Sequence, residues 1–441
     1  MDLSIHKNIE IVDGLLSIPE TEYQTYVEQA EMRPTLFDYL FGGFIVAMLA
    51  TNYSPYNDLL STIGMVLPLL FVLTLLFTQY HFQREFLAFI VLCSWILLGS
   101  LLSRYRIISL PTTVFLIKVQ AVMIVVALRC SSFRHMRFYL ATIAIGAAFL
   151  VLPSLFVSTR YLAFDARLRG GAGDPNALGS LAECSFIAWS CLLFLSRGWL
   201  KWIVCPAMAI ISLRVVMLSA SRGSFVTIVI FAAVGSWYIW RHGRATTRAL
   251  LPFLIIIAGV VVFISMRQLQ IMERLVSLLG AFGIEYRAGS APISETGVTS
   301  REQLIRYAMG IFYDHPILGA GYGTFPVYTG ATYTHTTPFD LLYGTGAVGT
   351  VLYYFVIFSA WHVLAKAKKL AKDRPEIVQN ILIGQMLIIA QLAAGLSLPT
   401  QQSKFQATLS GIWLGIAWYM RLWTKEQLGY GLGEQTTAES V

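Results

Sequence analysis

The sequence predicts an all-α integral membrane protein, and three observations support that fold class. Hydrophobic residues make up 56% of the 441 residues, charged residues make up only 13%, and the mean hydropathy is +0.65. Apolar runs of roughly 17–25 residues, the length that crosses a bilayer as a helix, recur along the chain. Basic residues cluster after alternate runs, as they do in multi-pass membrane proteins. This composition excludes a soluble globular protein.

The apolar runs predict about twelve membrane-spanning helices. They lie at 35–53, 59–78, 86–102, 107–128, 138–157, 176–195, 199–218, 222–240, 249–266, 346–365, 377–398 and 404–423. Three basic clusters each follow an even-numbered run, so they share one side of the membrane, and excess Lys and Arg mark that side as cytoplasmic. The clusters are Arg129, Arg134 and Arg137; Arg241, Arg244 and Arg248; and Lys366, Lys368, Lys369, Lys372 and Arg374. Both termini are therefore predicted to be cytoplasmic.

This topology divides the chain into five segments. They are a cytoplasmic N-terminal segment at 1–33, membrane helices one to nine at 34–266, a large periplasmic loop at 267–345, membrane helices ten to twelve at 346–423, and a cytoplasmic tail at 424–441. The acidic N-terminal segment contains no signal-peptide pattern. We expect function to reside in the large loop and in a shorter external loop at 158–175, because binding residues concentrate on loops held by a rigid scaffold.

Arginines accumulate in or beside the loops that the topology assigns to the outer side. They are Arg160, Arg167, Arg169, Arg222, Arg287, Arg301 and Arg306. A guanidinium group binds phosphate through paired, charge-assisted hydrogen bonds, so this pattern indicates a phosphate-containing ligand. The first three arginines are alternatively explained by contacts with lipid phosphates. Arg214, inside the seventh predicted span, either lines a phosphate cavity or extends to the membrane interface.

The large loop is predicted to contain an amphipathic helix and a glycine-rich turn. Ser300 and Gln303 form a capping-box pattern that predicts a helix at 301–313, with Leu304, Ala308 and Ile311 on one apolar stripe. The following run, Ile317–Phe325, predicts a turn that lets a substrate approach the backbone, with loop packing as the alternative. Tyrosines such as Tyr322 are candidates for stacking on sugar rings, although interfacial tyrosines are common in membrane proteins.

His335 lies just before the tenth apolar run, close to the predicted outer face. An imidazole titrates near neutral pH, so it can accept a proton from a hydroxyl group. A polar surface role is the alternative. A metal site is not indicated, because no second ligand stands at helical spacing.

Several short motifs resemble the O-antigen ligase and O-antigen polymerase superfamily. In chain order, the matching stretches are Asp174–Gly179, Ser221–Ser224, Arg301, His315–Gly321, His335 and Gly346–Gly349. The resemblance covers roughly 170–355 by motif and the whole chain by topology. One departure is Thr336, which stands where many members have Asn directly after the histidine.

This resemblance implies a membrane-embedded, GT-C-like glycosyltransferase that uses no nucleotide sugar, no metal and no cofactor. The implied donor is a glycan on undecaprenyl pyrophosphate at the periplasmic face of the bacterial inner membrane. Carried over by position, Arg222 and Arg301 would hold the pyrophosphate leaving group, and His335 would deprotonate the acceptor hydroxyl. The further candidate substrate-binding residues are Arg160, Arg167, Arg169, Arg214, Arg306, Asn176 and Tyr322.

The acceptor distinguishes two activities of this superfamily. A polymerase transfers the glycan to another lipid-linked repeat unit, whereas a ligase transfers it to lipid A–core. The run Thr337–Tyr343 favours the polymerase, which makes a chain-length regulator protein a further candidate partner. A transporter of an anionic substrate is the alternative from another class. It is disfavoured because the spans show no inverted repeat and few carboxylates, of which Glu183 is the main one. The formal charge of +8 follows from topology and the exterior arginines, so no nucleic acid partner is indicated.

Overall fold

The structure, a computed structural model, describes residues 34–50, 84–130, 132–157, 175–195, 198–199, 201–242, 296–331 and 333–438. These residues form helices and connecting turns, which confirms the all-α prediction for the described part of the chain. The helices are α1 (Leu36–Ala50), α2 (Arg84–Leu102), α3 (Arg106–Arg129), α4 (Phe133–Val157), α5 (Pro175–Leu195), α6 (Lys201–Ser219), α7 (Arg222–His242), α8 (Thr296–Asp314), α9 (Phe325–Thr329), α10 (Thr337–Leu370), α11 (Pro375–Gly395) and α12 (Lys404–Ala438).

Seven of the described helices are long and apolar enough to cross a membrane, namely α3 to α7, α10 and α11. The chain is therefore a multi-pass membrane protein. Shorter apolar helices occur at α1 and at Leu87–Leu102 within α2. Predicted spans at 59–78 and 249–266 lie outside the described residues, and every other predicted span overlaps a helix. The count of twelve spans remains a prediction.

Two helices begin earlier than the sequence predicts. α10 starts at Thr337 rather than near residue 346, because Pro338 at its second position suits a helix start. Its helical geometry is interrupted at Gly346, where φ is 68° and ψ is −172°. A short helix therefore precedes the apolar span. α8 starts at Thr296, so Ser300 lies inside the helix instead of capping it.

Residues 296–336, which we call the cap, pack on the start of α10. The predicted apolar stripe of α8 faces inward, which confirms its orientation. Its members are Leu304, Ala308 and Ile311. They join a small cluster with Phe325 and Tyr343, whose ring centroids are 4.9 Å apart. This contact fixes the cap against the membrane helices.

The glycine-rich turn of the cap packs directly against the protein's own backbone. Gly319 has φ 73°, and a Cβ atom there would lie 2.5 Å from the carbonyl carbon of Gly344. At Gly346 a Cβ atom would overlap the carbonyl group of Ile317. The Ala320 N–H group donates a hydrogen bond to the nearby Tyr343 carbonyl at 2.8 Å. The glycines therefore serve loop packing, which corrects the expectation that this turn is open to substrate.

At the end of the bundle opposite the cap, a buried carboxylate connects three helices through an ion pair and a hydrogen bond. Asp38 in α1 is 0% exposed, and its carboxylate accepts a 2.6 Å hydrogen bond from Arg129 Nη2 at the end of α3. The Tyr139 hydroxyl in α4 donates to the same carboxylate at 3.0 Å. Arg129 belongs to a predicted cytoplasmic basic cluster, and it also anchors the first described helix to the bundle.

The glycine contact generates the first prediction, which compares two glycine substitutions. Gly346→Val should lower the free energy of unfolding by at least ~3 kcal/mol, because a left-handed backbone and the overlap with Ile317 both penalise a side chain. Gly310→Ala is the matched control. Gly310 lies in α8, and a Cβ atom there would meet no other atom within 4 Å, so alanine should raise stability by ~0.5–1 kcal/mol. Thermal unfolding of the detergent-purified variants measures both. Equal melting temperatures for Gly346→Val and wild type would contradict the described packing.

Candidate functional site

Several helices begin at the end of the bundle that carries the cap, and four of them form the region described next. α5 begins at Pro175, α7 at Arg222, α10 at Thr337 and α12 at Lys404. The first turn of a helix presents backbone N–H groups without intrahelical partners, together with the positive end of the helix dipole. We call the region that these four starts form the site.

The start of α5 packs against the tight turn that precedes α7. A Cβ atom on Gly179 would overlap the Ser221 side chain and would lie 2.9 Å from Ser219 Oγ. Between these serines, Ala220 has the left-handed φ of 52°, and the Ser221 N–H group donates to Ser219 Oγ at 3.3 Å. This turn places Arg222 as the first residue of α7.

Arg222 is half-buried at a helix N-terminus, a position where the helix dipole does not stabilise a cation. Its charge and the N–H groups in the first turn of α7 both attract an anion, so the two features act together on a phosphate. A Cβ atom on the next residue, Gly223, would overlap the Ser397 side chain, so the α11–α12 loop presses on this helix start. Asn176, near the start of α5, and Arg214, in α6, are also half-buried.

His335 is held in an uncommon backbone conformation. Its φ is 64°, a region that costs a non-glycine residue about 1–3 kcal/mol unless its surroundings enforce it. The neighbouring Thr334 provides that constraint, since its N–H group and hydroxyl donate to Asp340 Oδ1 at 2.9 Å and 2.6 Å. On the other side, the Tyr333 ring meets the imidazole edge to face, with the ring centroids 4.5 Å apart. His335 is therefore locked between the cap and the start of α10.

Arg301 and Arg306 lie on α8 in different environments. Arg301 is half-buried beside Tyr333, the residue that contacts His335. Burial lowers the pKa of the Arg301 guanidinium and the Tyr333 phenol partly opposes this, yet a guanidinium remains charged at any physiological pH. The Arg306 side chain is 77% exposed and pairs with Glu302 at 2.6 Å. Arg301 thus lies near a residue that contacts the histidine, whereas the Arg306 side chain faces solvent.

The hydroxyl of Thr337 connects the region of His335 to the turn at Ser219–Arg222, which we call the arginine turn. It donates to the Leu398 carbonyl at 2.9 Å, lies 3.1 Å from Thr400 Oγ1, and accepts a 3.0 Å hydrogen bond from the Thr400 N–H group. Leu398 directly follows Ser397, which touches Gly223. The loop at 396–403 therefore links the two halves of the site, one around His335 and the other around Arg222.

Tyr322, a predicted substrate contact, is 0% exposed. Its hydroxyl accepts a 2.9 Å hydrogen bond from Gln401 Nε2, and its carbonyl accepts a 2.8 Å hydrogen bond from Ser109. Tyr322 therefore packs the cap onto the membrane helices, and its ring is not available to a sugar. The predicted substrate contacts in the shorter external loop lie outside the described residues. They are Arg160, Arg167 and Arg169.

Sequence reasoning missed three features of the site. The loop at 396–403 carries no motif, although it contacts both halves. Lys404 begins α12 and is only 6% exposed. The sequence signal for Lys404 is its position at the outer end of a predicted span. Basic residues usually accumulate on the cytoplasmic side instead. Asp340 falls within the run that favours the polymerase but has no predicted role of its own; its signal is an acidic residue early in an apolar helix.

The fold and this site define a multi-pass membrane protein in which arginine and histidine residues and several helix starts lie at one end of the bundle. Residues 207–354 match the family model described as O-Antigen ligase. That segment, about a third of the chain, is therefore similar to the O-antigen ligase family, which confirms the resemblance there; Arg222, Arg301 and His335 all fall within it. No curated protein matches the chain.

The Thr337 contact generates the second prediction. Thr337→Val keeps the side-chain shape but removes the hydroxyl, which leaves the Leu398 carbonyl and the Thr400 N–H group without their partner. We expect a loss of ~1–3 kcal/mol in stability, and about a tenfold loss of glycan transfer because His335 shifts relative to Arg222. Thr337→Ser keeps the hydroxyl and should retain near-wild-type transfer. The assay is glycan synthesis in cells whose chromosomal copy is deleted; full activity of the valine variant would contradict the link.

Proposed function

We propose that this protein polymerises a bacterial surface polysaccharide. It takes a glycan from undecaprenyl pyrophosphate and transfers it to a sugar hydroxyl of another lipid-linked repeat unit. The observation that supports this most strongly is the loop at 396–403, which contacts the start of α7 beside Arg222 and the start of α10 two residues after His335. The loop thus connects the region of an arginine suited to binding a pyrophosphate with the region of a histidine suited to removing a proton.

The proposed reaction exchanges one bond at the anomeric carbon of the donor sugar. His335 accepts the proton of the acceptor hydroxyl, and the acceptor oxygen forms the new bond to that carbon. The bond to the pyrophosphate oxygen breaks, and undecaprenyl pyrophosphate leaves with the electron pair. Arg222 and Arg301 stabilise the charge that develops on it, which is a task for preorganised, partly buried cations.

The site is proposed to lie at the periplasmic face of the bacterial inner membrane, with both termini in the cytoplasm. The basic clusters support this orientation, because Arg129 and Lys369 lie at the ends of helices opposite to the cap. A donor with its polyprenyl tail in the outer leaflet would then place its pyrophosphate level with the helix starts. Arg214 and Asn176 are proposed to border the same phosphate region. A peripheral contact to the glycan is proposed for Arg306, because its side chain faces solvent.

Ligation to lipid A–core is the second candidate function. The description of the matching family, O-Antigen ligase, favours it. Both functions use the same donor and the same leaving group, so they differ only in the acceptor. The run Thr337–Tyr343 supports the polymerase, and a chain-length regulator is then a proposed partner.

The third prediction tests the roles of the three central residues. Arg222→Ala, Arg301→Ala and His335→Ala should each reduce long glycan by at least ~100-fold, because phosphate stabilisation and general-base catalysis each contribute factors of this size. Lys369→Ala is the control, because this exposed lysine lies near the far end of α10. Immunoblots of the membrane fraction check that each variant is present. Normal glycan from His335→Ala at normal protein levels would exclude the general-base role.

The fourth prediction distinguishes the proposed functions in cells that lack the gene. We expect lipid A–core carrying a single repeat unit and no ladder on a glycan gel, because ligation still operates without the polymerase. Bare core with accumulating lipid-linked polymer would instead identify a ligase. An unchanged banding pattern would contradict both the polymerase and the ligase function for this glycan. It would favour a role in making another secreted polysaccharide, or transport of an anionic substrate.

A further inference from the structure

Glu183 is a buried carboxyl group inside a membrane-crossing helix. It lies in α5 and is 0% exposed. A carboxyl group in this environment is costly unless it is hydrogen-bonded, and such residues in membrane helices usually have a specific role. Neither the proposed proton transfer nor the proposed phosphate contacts use it directly.

Its hydrogen bonds lead to the turn that carries Arg222. The Ser224 hydroxyl donates to the Glu183 carboxyl group, and the Ser221 hydroxyl donates to Ser224 Oγ at 3.1 Å. From α12, Gln406 Nε2 donates to Glu183 Oε1 at 3.3 Å. Ser221 and Ser224 stand on either side of Arg222 in the sequence, so a chain of side-chain hydrogen bonds runs from α5 to both flanks of the arginine.

A second contact from the same helix supports this arrangement. Gly179 lies one helical turn before Glu183, and it packs against Ser219 and Ser221 without room for a side chain. α5 thus contacts the start of α7 and the turn before it at two positions, Gly179 and Glu183. Because the turn contains Ala220 in a left-handed conformation, its geometry depends on such external contacts.

The role of Glu183 is better explained by hydrogen bonding than by charge. Within the described part of the chain, Glu183 Oε2 has no hydrogen-bond partner. Both groups that contact the carboxyl are neutral, namely a serine hydroxyl and a glutamine amide. Glutamine has nearly the same shape and the same acceptor oxygen, so it should replace this group.

We propose that Glu183 is a positioning residue for Arg222. It holds the Ser221–Ser224 turn so that the guanidinium meets the pyrophosphate. This inference rests on the proposed function, in which Arg222 binds that group. Glu183 itself neither contacts the donor nor carries a proton in the reaction.

The test measures the binding of undecaprenyl pyrophosphate to the full-length protein in lipid nanodiscs, and in parallel the glycan ladder in cells. Glu183→Ala should weaken binding and transfer by about tenfold, because a small displacement of a catalytic group has effects of this order. Glu183→Gln should stay within about twofold of wild type, because it keeps the hydrogen-bond acceptor. Ser185→Ala is the matched control. Ser185 is also buried in α5, but it bonds to Ser212 of α6 at 2.8 Å, away from the arginine turn.

A double-mutant cycle identifies the residue through which Glu183 acts. In the Arg222→Ala background, adding Glu183→Ala should change binding by less than about twofold, because two changes to one contact do not add. A further tenfold loss would overturn the proposal, as would a glutamine variant as impaired as the alanine variant. An equal loss of binding and transfer in Ser185→Ala would also overturn the proposal, because it would show that any substitution of a buried α5 residue has this effect. If Arg222→Ala alone binds undecaprenyl pyrophosphate like wild type, the proposed function of the site fails, whatever the Glu183 variants show.

Discussion

The hydroxyl of Thr337 is the interaction on which the site depends most. It hydrogen-bonds the loop at 396–403 from the start of α10, two residues after His335. The same loop presses Ser397 onto Gly223, next to Arg222. Without this link, a histidine from the cap and an arginine from the membrane helices would have independent positions. The proposed transfer from a pyrophosphate needs both in one geometry, so a single buried hydroxyl connects the two residues on which that proposal rests.

The sequence predicts much of the fold because the bilayer imposes a simple rule on it. A span needs about twenty apolar residues, so α3 to α7 and α11 follow directly from hydropathy. Arg222 and His335 stand out in the sequence as candidates, because charged or titratable groups at the ends of spans contradict the apolar pattern around them. The inward stripe of α8 was predictable for the same reason, since Ala308 and Ile311 recur at helical spacing among polar residues.

Other features depend on contacts that no local pattern specifies. Gly346 lies within apolar sequence, so hydropathy does not reveal the break that lets the cap approach α10. Tyr322 belongs to a glycine-rich loop and is predicted to contact a sugar, but its hydroxyl bonds to Gln401, far along the chain, and it is buried. From the sequence alone, Glu183 resembles an ion-coupling carboxylate. The structure instead shows it hydrogen-bonded to Ser224 at the start of α7. These are long-range pairings, and one sequence without an alignment does not encode them in a readable form.

The most direct test of this account is a cryo-electron microscopy structure of the protein in lipid nanodiscs with bound undecaprenyl pyrophosphate. We expect the two phosphates to lie between Arg222 and Arg301 at the start of α7, with the His335 imidazole facing the position of the sugar carbon. Density for the pyrophosphate at the opposite end of the bundle, near Arg129, would contradict the account. So would density on the cap side with neither arginine in contact.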